Sequence, residues 1–438
     1  MNPVLALAAG AAGSVVGWAI HQRWFNPVTA YSAIWGMVLA LTTSGLIHYY
    51  PISGAAWGYI ALAWIQLTLG SAAMSGLAYR LQPLASPPRA DSMPSDRRLV
   101  TAIVVLTTLA AIALGAELAV ALRGSSNLTE ALLKQMNARY IARVQGEEGG
   151  VIPYLGSVAF TACALAGVLT RRIRRLAAIN AIPLIVVSIQ GVLTAGRTGV
   201  GIAAALFVAG LAFAPPAPQE LQRRSRRIST AIGLVVVLMV AAGGFTLVSA
   251  NRGLVVDLPG VDPRLSSTSR HVPFLPSVVA HLSVSPPVFS EYLKAGAPAM
   301  PFPGAYTFAP FARVLSRVGI GSPVAYYEES YFTPVEANVG TWLKNWYADF
   351  GPAGVALMPF VFGLVIAYLM ARLRRGNCAG ATCVLVLSHL MAVIMMSFTF
   401  NIMVLGDWWV SLITAAVVGA ILGKPRASSA VSAGPAVS

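Results

Sequence analysis

Arg197 is the first residue of this chain to invite chemistry. It stands between glycines in the apolar stretch GVLTAGRTGVG. A guanidinium at a bilayer is costly, so it either meets an anionic partner or snorkels to the interface. Gly196, Gly199 and Gly201 would let another backbone or a phosphate come close. The amides opening the next helix would also favour an anion. Pyrophosphate binding and interfacial snorkelling therefore fit the sequence equally. Arg313 and Arg317 lie one helical turn apart in PFPGAYTFAPFARVLSRVGIG, where Gly304 to Gly319 reads as a turn entering a helix. Phe311, Val314, Leu315 and Val318 would share a different face, as in an amphipathic helix at a membrane surface. The plainer version is a packed helix whose arginines meet lipid headgroups.

Other polar residues have structural readings beside chemical ones. Asp349-Phe350-Gly351-Pro352 reads as a helix start, with Asp or Gly as cap and Pro in the first turn. The DFG string lacks the Gly-rich loop and HRD element that would make it a kinase signal. Glu117 fits a contact between helices or a proton relay. Glu328-Glu329 reads as solvated loop. His271 and His281 are candidate bases, although hydrogen-bonded loop histidines are commoner. There is no P-loop, nucleotide fingerprint or HExxH, and no acidic pair spaced by one residue. The expected chemistry needs no nucleotide, cofactor or metal.

Such residues need a scaffold, and composition says which. Of 438 residues, 57% are apolar and only 10% charged. Mean hydropathy is +0.71. The apolar runs are solid, which predicts an all-α polytopic membrane protein and excludes the alternation of a β-barrel. The predicted spans are about 3–20, 28–48, 55–79, 99–122, 151–169, 176–195, 199–214, 228–248, 351–371, 379–400 and 408–422. The domains are then 1–248, with eight helices, a linker at 80–98 and an outer loop at 123–150; a large, partly helical outer loop at 249–350; three more helices over 351–422; and a disordered tail over 423–438. A short helix is expected around Phe289–Leu293. Cys163, Cys378 and Cys383 offer no disulfide framework or metal-ligand spacing. The first apolar run has no basic residue before it, so it reads as a retained span rather than a signal peptide.

The net charge is +15. Alternate connections carry this excess: Arg23, the 80–98 linker, Arg171 to Arg175, Arg223 to Arg227, Arg372 to Arg375, and Lys424 with Arg426. A bias this one-sided marks the cytoplasmic face and explains the basic balance without nucleic acid. The N-terminus is then outside and the C-terminus inside.

The stretches GRTG (Gly196–Gly199), PGAYTFAPFARVL (Pro303–Leu315) and NVGTWLKNWYADFGPAGVALMPFVFGLV (Asn338–Val365) resemble the Wzy-type O-antigen or repeat-unit polymerases. So do their order and the large outer loop before the ninth span. The likeness covers the second half of the chain and, before that, hydropathy alone. It implies a GT-C-like polymerase/ligase architecture of about eleven helices in a bacterial inner membrane, active on the periplasmic face. It implies a donor glycan on undecaprenyl pyrophosphate, a lipid-linked acceptor repeat unit, surrounding membrane lipid, and a chain-length regulator and flippase as partners. Under it Arg197 and Arg313 match positions in the family's motifs and would hold the pyrophosphate, with Arg252 and Arg270 further candidates. Asp349, Glu291 or His281 would be the base, Asp349 first because it lies inside a matched motif. Tyr306, Asn338, Trp342 and Tyr347 would face the sugars. An O-antigen ligase, using the same donor, and a transporter or flippase are the alternatives. The latter lacks the internal repeat and paired buried acids expected of it. Arg197→Ala is expected to abolish long-chain polysaccharide while the protein stays folded and inserted; electrophoresis of the surface glycan reads this out.

Overall fold

The computed structural model describes residues 2–81, 93–123, 125–127, 130–131, 134–135, 137–138, 152, 154–173, 178–193, 198–215, 260–269, 272, 275–297, 300, 302–320, 329–375 and 380–423. Fourteen α-helices are described: α1 (Pro3–His21), α2 (Pro27–Thr43), α3 (Gly54–Leu81), α4 (Asp96–Leu122), α5 (Val158–Ile173), α6 (Ala178–Leu193), α7 (Thr198–Phe213), α8 (Pro263–Ser269), α9 (Leu275–Ser283), α10 (Ser285–Lys294), α11 (Ala309–Arg317), α12 (Thr341–Arg374), α13 (Gly380–Met396) and α14 (Gly406–Leu422). The only described strands, β1 (Tyr331–Phe332) and β2 (Glu336–Ala337), form one short hairpin. The chain is thus an all-α membrane protein. Helices α1, α3, α4 and α12 are long and apolar enough to cross a bilayer, and α2, α6, α7, α13 and α14 are shorter apolar helices. The predicted eighth span, 228–248, lies outside the described residues.

Local signals explain the helix ends. Asn2 and Asn26 cap α1 and α2, accepting from Val4 N and Thr29 N at 2.9 Å, with Pro3 and Pro27 in the first turns. Helix α2 stops at Thr43, short of the predicted 48, because Gly45 turns to positive φ. The ninth predicted helix begins ten residues early: α12 starts at Thr341 and breaks at Gly351 (φ 63°, ψ −155°) before continuing. Residues 341–350, expected in the outer loop, therefore form a buried helical segment.

Small residues let the helices meet. Ala6, Gly10, Gly13 and Gly17 form the buried stripe of α1 against α2. A Cβ on Gly10 would lie 2.9 Å from both Gly36 Cα and Ser32 O. At one end of the bundle Arg374 reaches the His21 carbonyl at 2.5 Å, joining α12 to α1. Arg172 pairs with Asp96 at 2.9 Å, joining α5 to α4.

At the other end, the end of α2 and the short loop before α3 are a seat for the segment from Gly260 to Ser290. His48 N donates to Gly260 O, and Asp262 N to Leu46 O, both at 2.9 Å. Thr42 Oγ1 donates to Ser283 O at 2.8 Å, and Ser53 N to Ser290 Oγ at 2.9 Å. Ile47 packs with Leu265, Val279 and Ala280 in a small separate core. Tyr49 bonds Ser283 Oγ at 2.9 Å, and burial pushes its phenol up to about 12.

Gly10→Leu is expected to destabilise the protein by about 1–3 kcal/mol through overpacking against α2. Gly58→Ala, whose added Cβ meets nothing within 4 Å, should leave stability unchanged. Thermal unfolding of both variants in detergent checks the pair.

Candidate functional site

The first segment of α12 carries Asn345 and Asp349 one turn apart, hence on one face. Each ties down a different piece of chain. Asp349 is 5% exposed. Its Oδ1 accepts from Tyr306 N at 2.7 Å, and its Oδ2 accepts from Thr307 N at 2.8 Å and Thr307 Oγ1 at 2.6 Å. Asn345 Oδ1 accepts from Asn401 N at 2.9 Å, and Trp342 N donates to Ser397 O at 2.8 Å. The turn 303–308 and the loop 397–405 are thereby both fastened to α12. They also pack on each other, through Val404 against Ala305, Ala309 and Ala312.

Of the two expected caps, Asp349 or Gly351, the Asp349 one is corrected, while Pro352 does open the segment that follows Gly351. The Asp349 side chain reaches across to the distant turn, and Gly351 breaks the helix by entering a conformation that glycine adopts without strain. Three of the roughly four acceptor positions of a carboxylate are engaged by that turn. This geometry makes Asp349 an anchor more readily than a proton acceptor.

Helix α11 leaves the anchored turn at Ala309. Its apolar residues share one face, as the amphipathic reading expects, but the side that carries Arg313 is turned inward. Phe311, Val314, Leu315 and Val318 are exposed, whereas Arg313 is 8% exposed, on the inner side with Ala309 and Ala312. Arg313 therefore does not face headgroups as the plainer sequence reading had it. The outer face meets α14 at Trp409, whose ring lies 5.0 Å from Phe311 and 6.0 Å from Phe308.

Sequence reasoning missed Lys344. It is 2% exposed, and its stem packs beside Gly340. Its ammonium lies 5.2 Å from the Tyr331 ring centroid, 5.8 Å from that of Tyr292, and 3.4 Å from Asn338 O. Aromatic faces attract a cation by about 0.5–2 kcal/mol each. The signal was available: a lysine inside the aromatic run WLKNWY implies rings around its charge. Tyr347 continues this set, 6.2 Å from Tyr292 and 5.3 Å from Tyr59, and both Tyr347 and Tyr59 are half-buried.

The remaining candidates fall in different places. Trp342 is fully buried among Tyr31, Trp346 and Phe362, which assigns it to packing and removes it as a sugar platform. Tyr306 is half-buried and gives its amide to Asp349; Asn338 gives its carbonyl to Lys344. Glu291 is held by Lys294 at 2.7 Å. His281 lies in the last turn of α9, whose buried Val279 and Ala280 belong to the core around Ile47 rather than that around Trp342. Arg197, Arg252, Arg270 and His271 lie outside the described residues.

Compared with known families, characterised proteins and solved structures, the chain matches none. Thr307→Val removes one of three donors to Asp349 and is expected to lower stability by about 1 kcal/mol. Asp349→Ala strands all three and is expected to cost about 3 kcal/mol. Thermal unfolding gives the order, and limited proteolysis should show cleavage between 303 and 320 first in Asp349→Ala.

Proposed function

We propose that the chain is a membrane glycosyltransferase that joins undecaprenyl-pyrophosphate-linked repeat units into a surface polysaccharide. One observation carries the reading. The two long stretches that resemble repeat-unit polymerases, Pro303–Leu315 and Asn338–Val365, are knitted together by the three hydrogen bonds on Asp349. Buried cations flank that junction in sequence, Lys344 on α12 and Arg313 on α11. In this reading eleven spans cross a bacterial inner membrane, and the Arg-rich helix ends joined by Arg374 and Arg172 face the cytoplasm.

The acceptor's sugar hydroxyl attacks the anomeric carbon of the donor glycan. The bond from that carbon to the lipid diphosphate breaks, and the diphosphate leaves with the electron pair. The hydroxyl proton passes to a base drawn from Asp349, Glu291 and His281. The ties on Asp349 favour it as the positioning residue of the set. A leaving diphosphate gains charge, so guanidinium and ammonium groups lower the barrier more than an acid would. Arg197 and Arg313 are assigned that role, with Arg252 and Arg270 as further candidates. Half-buried Tyr347 and Tyr306 are suited to a sugar's apolar face.

Deleting the gene is expected to collapse the surface-glycan ladder to single repeats. Full-length glycan remaining on the lipid carrier would instead identify a ligase, and an unchanged ladder would reject both. Arg313→Gln should lower the rate of chain extension by about 10²-fold or more, as loss of a charge-stabilising donor does.

A further inference from the structure

The Arg-rich end of the bundle gathers cations on elements that carry no acid there. Helix α1 stops at His21 as Gln22 turns to positive φ, and Arg23 follows in the exposed connection. Arg374 comes to the same place from α12. Its guanidinium donates to His21 O at 2.5 Å and lies close enough to Arg23 for the two charges to repel. Both arginines are exposed, and Arg372 and Arg375 are near neighbours in sequence. Helix α3 closes the corner, with Ser75 Oγ 3.5 Å from His21 Nδ1. The three elements supply no counter-charge at this end, because no Asp or Glu occurs in residues 1–90 or 350–406. Asp96, at the same end on α4, is taken by Arg172. Like charges held together raise the free energy until an anion comes between them.

Aromatic side chains mark the depth of this corner. Trp18 and Trp24 are 39% and 62% exposed and stack on each other at 5.9 Å across the end of α1. On α12, exposed Tyr368 carries Arg372 over its ring at 5.8 Å and accepts from Arg372 Nη1 at 3.1 Å. Exposed tryptophan and tyrosine collect where hydrocarbon gives way to headgroups. Farther along the same helices the exposed positions are apolar: Val15 and Val16 on α1, Leu357 and Val361 on α12. A ligand that fits has hydrocarbon beside the helices and a negative charge at its head. A soluble acidic protein would meet the charges and leave the aromatic and apolar positions uncovered.

We propose that the corner where α1, α3 and α12 end is a binding site for an anionic phospholipid, with its phosphate set between Arg23 and Arg374. The phosphate neutralises two guanidiniums that otherwise repel, and so ties α1 to α12. Arginine suits this place because its planar fork offers paired donors to phosphate oxygens. Basic pockets between membrane helices recognise lipid headgroups in this way. The lipid is a component of the bilayer and not a reactant. The site lies at the opposite end of α12 from the Asp349 junction and does not depend on the proposed function.

The test titrates full-length, delipidated protein in neutral detergent micelles and reads thermal stabilisation. The probes are phosphatidylglycerol, phosphatidylcholine of the same acyl chains, inorganic phosphate and poly-glutamate. Phosphatidylglycerol is expected to bind about tenfold or more tightly than phosphatidylcholine, as two cations near a headgroup imply. Inorganic phosphate and poly-glutamate should give no shift. Arg23→Gln and Arg374→Gln should each weaken phosphatidylglycerol about fivefold, the share of one cation, and leave phosphatidylcholine unchanged. Arg97→Gln removes an exposed cation of the same end on α4, which packs on α5 and α6, and should change neither lipid. Equal binding of the two lipids by the wild type overturns the site. So does an equal loss in Arg97→Gln and Arg23→Gln, which would leave only diffuse charge. Stabilisation by inorganic phosphate or poly-glutamate that matches phosphatidylglycerol also overturns it, giving the corner to a free anion or an acidic protein. Arg374→Gln also disturbs the bond to His21 O; if that variant does not fold, Arg23→Gln decides alone.

Discussion

One carboxylate and the three donors around it decide how the turn at 303–308 and the helix after it are set against α12. Asp349 sits at the end of a buried helical segment and grips a turn more than forty residues earlier in the chain. Away from water such bonds are strong, and leaving any of the three donors without an acceptor is costly. The turn fixes the start of α11, and so fixes which side of α11 faces inward. Arg313 is buried and Phe311 exposed as a direct result. Gly351, two residues after the carboxylate, lets the chain change direction before the apolar part of α12 begins. The polar grip and the membrane segment are thereby adjacent without sharing one axis.

The apolar runs announced the helices themselves, because a bilayer demands long unbroken segments whose backbone bonds are internal. The turn at Gly304 and the helix after it were legible too, from glycines bracketing a 3–4 periodicity. The direction in which α11 faces was not. A helix with Arg on one side and Phe, Val and Leu on the other looks the same whether its environment is water outside and protein inside or lipid outside and a polar junction inside. Only the tertiary partners, Asp349 and Trp409, decide between them. The segment 341–350 misled for a similar reason. Its Lys, Asn and Asp suggest a wet loop, yet each is buried because another part of the chain supplies its partners. Trp342 belongs to the same class of error: an aromatic beside polar residues resembles a sugar platform until its neighbours Tyr31 and Phe362 are seen.

Lys344 shows how a cation is kept inside such a structure. Two tyrosine faces and a carbonyl are among the partners of its ammonium, and each stabilises its charge. A neutral side chain of similar shape would pack at less cost in desolvation. Arg313, on the opposite side of the Asp349 junction in sequence, is a second buried cation.

The loop between α2 and α3 has a temporal consequence. Thr42 and Ser53 are made long before their partners Ser283 and Ser290; the first of these bonds joins residues 241 positions apart. A ribosome feeding this chain into a membrane lays down the seat first, and several further helices must be threaded before anything arrives to occupy it. Until then Ile47 and the groups around it wait with their ties unmade. Docking of the segment around Ser283 and Ser290 is consequently a late step of biogenesis, carried out against a seat that was made early.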